Sequence, residues 1–188
     1  MCYYITATLP KETNLLKLKP IFDQFNMDFT SIKNESVEAQ IRPGELYFRA
    51  TKQYCDCDTI LGSRTNPQEY ERLFKSKKVK TLRKNRWSEE QIEEWIMKKI
   101  AIKPHKKDLK KTSHEIEEEL NNWINFVKNI LKNNKRIGLL KHWYKSSLDN
   151  EEIQLKNTER INLKDLNAEK LLKLEEDVLY EFFPIYHF

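Results

Sequence analysis

Apolar positions along this chain change period several times, and each change marks a predicted element. From Cys2 to Leu9 (CYYITATL), aromatic and β-branched residues run together and stop at Pro10, which predicts a strand. Leu15, Leu18, Phe22 and Phe25 then recur at helical spacing, with Pro20 expected to kink or restart the helix. Asp28 to Lys33 reads as a second strand. The turn pair Pro43-Gly44 introduces a third, Leu46 to Thr51.

The middle of the chain is predicted to be helical by its start signals. Asn66-Pro67-Gln68-Glu69 offers a cap, a proline at the first helical position and an acid close behind. Trp87-Ser88-Glu89-Glu90-Gln91-Ile92 contains a capping box, with Trp87 and Ile92 placed as a hydrophobic staple, and Ile92, Trp95, Ile96 and Ile100 follow on one face. Thr112-Ser113-His114-Glu115 is a second box, leading into Ile116, Leu120, Trp123, Ile124, Val127 and Leu131. Lys103 to Lys107 between these helices reads as an exposed basic loop.

Arg136 to Tyr144 (RIGLLKHWY) returns to strand composition. Glu151 to Leu155 and Glu159 to Leu163 are expected to form one strand or a short pair. Leu171, Leu174 and Val178 share a helical stripe, which predicts a closing helix over Asn167 to Phe183. The pattern implies an α+β fold, a small mixed β-sheet with flanking helices. Its economical division is an α/β core of residues 1–65 and 134–188 interrupted by a basic helical insertion at 66–133. One continuous domain is the alternative.

Composition sharpens this picture in two places. Among 188 residues the net charge is +5, but Glu71 to Lys111 holds 15 Lys or Arg against 6 Asp or Glu. The basic character therefore belongs to one segment, and a localised anionic partner becomes conceivable beside the simpler reading of a solvated helix surface. No apolar run approaches the roughly 18 residues that span a membrane, and three cysteines are too few and too odd a set for a disulfide scaffold. A cytoplasmic protein with reduced thiols and no membrane partner is the expectation.

Those three cysteines are the candidate chemistry. Cys55 and Cys57 flank Asp56, and on an extended backbone residues two apart point the same way. Cys2 on a neighbouring strand and His142 would complete a Cys3His set, a donor combination that zinc takes in a tetrahedron. The same residues could instead form a thiol-dependent active site, with His142 lowering a thiol pKa. Inert core thiols are the third reading. Asp56 and Asp58 are expected to hold a turn through their side chains rather than to exchange protons. Removal of Met1 would leave Cys2 with its thiol and α-amine together, an arrangement that resembles the start of N-terminal-nucleophile amidohydrolases; the chain is short for their four-layer sandwich.

Taken together, MCYYIT, CDCDTILGS, RWSEEQIEEWI and GLLKHWY resemble an uncharacterised bacterial family with a Met-Cys start, a CxC-x-T-x-LG element and a later His-Trp-Tyr strand. The resemblance implies that Cys2, Cys55, Cys57, Gly62 and His142 form a set, and it implies no particular reaction. Two functions follow as expectations. One is a cysteine-centred site, enzymatic or metal-stabilised. The other is a non-enzymatic binding protein that uses Lys77, Lys78, Arg83, Lys84 and Arg86 on nucleic acid or an acidic protein, as an accessory protein of bacterial or phage defence or counter-defence would.

Overall fold

Six strands form a single mixed sheet in a computed structural model that describes residues 2–52, 54–62, 72–102 and 112–185. The elements follow in chain order as β1 (Cys2–Pro10), α1 (Leu15–Gln24), β2 (Asp28–Ser31), α2 (Glu35–Glu38) and β3 (Glu45–Thr51). After them come α3 (Lys77–Lys84), α4 (Glu89–Ile102), α5 (Ser113–Leu131), β4 (Ile137–Tyr144), β5 (Asn157–Asn162), α6 (Ala168–Leu172) and β6 (Val178–Phe183). Spatial order across the sheet is β2-β3-β1-β4-β6-β5, antiparallel throughout except for the parallel β5–β6 pair. The fold is α+β.

Both faces of the sheet are covered, so its central strands are buried at almost every position. On one face Ile5, Ala7, Leu9, Phe48, Leu139, Tyr180 and Phe182 pack with Leu18 and Phe22 of α1 and with Trp123, Phe126, Val127 and Ile130 of α5. On the other, Tyr47, Leu140, Tyr144 and Leu179 meet Val37 of α2, Ile41 and Ile153. A third, smaller cluster joins Val79 and Leu82 of α3 to Ile92 and Ile96 of α4.

The two capping boxes operate as read, whereas Trp87 stays 40% exposed and is not among the residues packed around Ile92. Thr112 and Glu115 close a reciprocal capping box at the start of α5. Ser88 and Gln91 exchange backbone-to-side-chain bonds in the same way ahead of α4. Helix α1 begins at an Asn14 cap and continues through Pro20 to Gln24. The expected helix start at Asn66 and the expected loop at Lys103 to Lys107 lie outside the described residues.

Three expectations need correction. The second strand ends at Ser31, and Glu151 to Leu155 is irregular, with Ile153 plugged into the second face. More importantly, the closing helix spans only Ala168–Leu172, and Val178–Phe183 is a strand inserted between β4 and β5. The helical spacing of Leu171, Leu174 and Val178 is real, but Asp177 takes a positive φ of 66° and turns the chain out of it.

Strand β6 also carries Glu181 into this interior. Its side chain is 1% exposed and accepts from Arg42 Nε and Nη2 at 2.5 and 2.6 Å, with Arg160 at 3.6 Å. Arg42→Ala should cost about 3 kcal/mol, because it leaves a buried carboxylate with its weaker cation alone. Urea denaturation measures this; a loss under about 1 kcal/mol would show the pair to be dispensable.

Candidate metal centre

The site is made where β1 outruns one of its neighbours. On one side β1 pairs with β4 from Cys2↔Tyr144 onward, whereas β3 pairs with it from Thr6 to Pro10. Beyond β3, the segment Cys55-Asp56-Cys57 takes over the edge. Asp56 N donates to Tyr3 O at 2.9 Å, Ile5 N donates to Asp56 Oδ2 at 2.7 Å, and Tyr3 N donates to Cys57 Sγ at 3.3 Å. A carboxylate and a thiol thus stand where a strand's carbonyls would be, which satisfies donors that could not be left bare.

The loop beyond is wound tightly around Asp56. Thr59 N and Thr59 Oγ1 both donate to Asp56 O at 2.9 Å, Gly62 N donates to Thr59 Oγ1 at 3.1 Å, and Ile60 N donates to Glu119 Oε1 of α5 at 2.8 Å. A Cβ on Gly62 would lie 1.9 Å from Asp56 O, so only glycine lets the loop close on itself. The turn expected of Asp56 is therefore made by its backbone carbonyl, while its side chain bonds across to β1. Asp58 is exposed.

Asp56 points into the protein and the cysteines point away from it. Its side chain is wholly buried, and Oδ1 has no hydrogen-bond partner among the described residues. Burial pushes this carboxyl up to about 7, against the opposing pull of the Ile5 N–H and the Arg49 guanidinium. On the other side Cys2, Cys55 and Cys57 bring their sulfurs within 4.8 Å of one another. All three are half-buried and none is in a disulfide. Burial pushes the Cys57 thiol up to about 12, and the neighbouring Cys55 and Cys2 add to the shift while the Tyr3 N–H opposes it. Tyr4 and Arg49 flank the group, with the guanidinium 5.6 Å over the Tyr4 ring and donating to Tyr54 O at 2.8 Å.

His142, the expected fourth member, belongs to a different cluster. The β1–β4 register sets Tyr144 opposite Cys2 and His142 opposite Tyr4, about 7 Å farther along the strand. There His142 Nδ1 meets Asp177 Oδ1 at 2.5 Å, Nε2 faces Glu151 Oε1 at 3.7 Å, and Glu176 lies within the same group. Glu176 accepts from Trp143 N at 3.1 Å and from the Tyr3 hydroxyl at 3.3 Å. Burial opposes ionisation of Asp177, yet the His142 ring and the Lys156 ammonium outweigh it and hold its carboxyl below the usual value. Both ring nitrogens of His142 are thus directed at carboxylates rather than at sulfur. Glu151, Glu176 and Asp177 carried no sequence signal that set them apart from other acids; the alternation of Asp56 with two cysteines did announce a side chain facing the other way.

The expected nucleic-acid residues lie elsewhere again. Lys77, Lys78, Lys84 and Arg86 are exposed on and after α3. Arg83 is exposed too, but its guanidinium makes a two-point pair with Glu89 at 2.8 and 2.9 Å and lies 4.6 Å over the Phe74 ring. Met1, on which a terminal-nucleophile reading depends, is outside the described residues. Among the described residues no helix is long and apolar enough to cross a membrane. Compared with models of protein families, with curated proteins and with solved structures, the chain matches none.

Proposed function

We propose that Cys2, Cys55 and Cys57 together bind one thiophilic metal ion, zinc first, and that the protein is a metal-stabilised module of the cytosol. The observation that carries this reading is the meeting of three unbonded sulfurs within 4.8 Å, drawn from two separate stretches of chain. Zinc–sulfur bonds of about 2.3 Å at tetrahedral angles put sulfurs about 3.8 Å apart, so modest closure suffices. Three sulfur ligands leave one position for water or a small donor. A reducing compartment belongs to this reading, because ligation needs free thiols.

Thiol electrostatics favour metal over nucleophile. A catalytic thiolate needs a depressed pKa and a base in reach. Cys57 is shifted the opposite way, and His142 is engaged by Asp177 and Glu151. A divalent cation supplies positive charge at the sulfurs themselves, and binding it expels the thiol protons.

Elemental analysis of protein purified without chelator should find about one zinc per chain, reduced to background in Cys57→Ser. Chelation should lower the Tm of the wild type by about 5 °C or more and leave Cys57→Ser unmoved. Wild-type protein free of zinc, iron and copper would sink the proposal.

A further inference from the structure

The outer face of α3 has a charge pattern that folding alone does not explain, and we infer that it is a binding surface for single-stranded nucleic acid. Residues 72–87 contain eight Lys or Arg and no acid. Helix α3 has no acidic residue in its first turn and three lysines there, against the sense of its own dipole. Lys77, Lys80 and Lys84 stand three or four residues apart, a spacing at which like charges destabilise a helix. Among the described residues none of these three is ion-paired. An anionic ligand turns that repulsion into attraction.

The helical period shows where the ligand would run. Val79 and Leu82 are buried against Ile92 and Ile96. At about 100° per residue, Lys77, Lys80 and Lys84 fall within about 60° of each other on the side opposite that buried pair. They cover about 10 Å of axis, a row long enough to lie along a short run of phosphates on one strand. Lys78 flanks the row. Arg86, in a left-handed turn at φ 61°, and Trp87, which keeps 40% of its surface exposed, stand at its C-terminal end. Lys80 thus joins the phosphate row, and Arg83 leaves it, since Glu89 already takes its guanidinium.

Three features select the class of partner. Helix α4 opens with Glu89 and Glu90, so it would repel a duplex groove and cannot serve as a recognition helix. A stable protein partner needs an apolar centre to its interface, and the apolar residues of α3 are turned inward. An exposed indole beside a row of cations suits an unstacked base, because base–aromatic stacking accepts any sequence. This surface shares no residue with the cysteine cluster, so either reading can fail without the other.

Fluorescence anisotropy tests it, with a labelled mixed-sequence oligonucleotide presented as single-stranded DNA, single-stranded RNA and duplex DNA. Wild-type affinity for a single strand should fall roughly 20- to 100-fold between 50 and 200 mM salt, the dependence expected for three to five phosphate contacts. Lys77→Gln/Lys80→Gln/Lys84→Gln should weaken binding tenfold or more at 50 mM salt without lowering Tm, and the corresponding triple Lys→Arg variant should bind as wild type. Trp87→Ala should weaken single strands roughly tenfold and duplex little. Unchanged binding by the Gln variant, or no wild-type binding at 50 mM salt, overturns the inference. So does equal, lysine-dependent binding of polyglutamate, which would assign the surface to an acidic protein.

Discussion

Gly62→Ala should empty the cysteine cluster of metal and destabilise the protein by about 3 kcal/mol, the upper end of what overpacking costs. The added methyl would stand 1.9 Å from Asp56 O, 2.5 Å from Asp56 C and 2.6 Å from Asp56 Cβ. Two of these obstacles are backbone, which cannot rotate away as the tip of a flexible side chain would. Relief requires Asp56 to shift, and Asp56 holds Tyr3 O and Ile5 N on β1 and carries a cysteine on either side. The loop and the sulfurs therefore move together. Zinc stoichiometry read beside urea denaturation checks this. A variant that keeps both its metal and wild-type stability would show that Gly62 is incidental and that the loop is loosely held.

A second large effect lies in the pH dependence of the metal-free protein. Asp56 is pushed up to about 7 from an ordinary 3.8, because burial penalises its charged form. Between about pH 4 and pH 7 the folded protein keeps a proton that the unfolded chain has released. Stability therefore falls as pH rises through this window and levels off above it. Three pH units correspond to at most about 4 kcal/mol. Asp177 and Glu151, whose carboxyls are held low, work in the opposite direction, so the Asp56 contribution is isolated by difference. Asp56→Asn keeps an acceptor for Ile5 N and removes the ionisation. With chelator present, its stability relative to wild type should improve by about 2–3 kcal/mol from pH 5 to pH 8. A difference that stays constant over this range would mean that Asp56 titrates normally and that water reaches it.

Much of this molecule is legible locally. The capping boxes at Ser88 and Thr112, the β-rich runs at Cys2 and Arg136 and the amphipathic face of α5 depend on neighbours within a turn or two. Each behaves as its residues predict. Strand β6 shows where such reading fails. Its lead-in keeps a helical spacing, but Val178–Phe183 is claimed by β4 on one side and β5 on the other, and that pairing outweighs a weak local preference. The same division runs through the candidate site. That Cys55 and Cys57 face one way follows from their spacing. That they meet Cys2 depends on β3 releasing β1 at Thr6, which nothing within CDCDT encodes.

The sequence by itself determined the α+β class, the caps of α4 and α5, the paired direction of Cys55 and Cys57, and a cationic segment without acids. Tertiary structure alone decided which groups became partners. Strand parity is set by a residue's own backbone, but register is set by hydrogen bonds to residues far along the chain. A two-residue step in that register put Tyr144 rather than His142 beside Cys2, gave His142 to Asp177, and left three sulfurs to themselves.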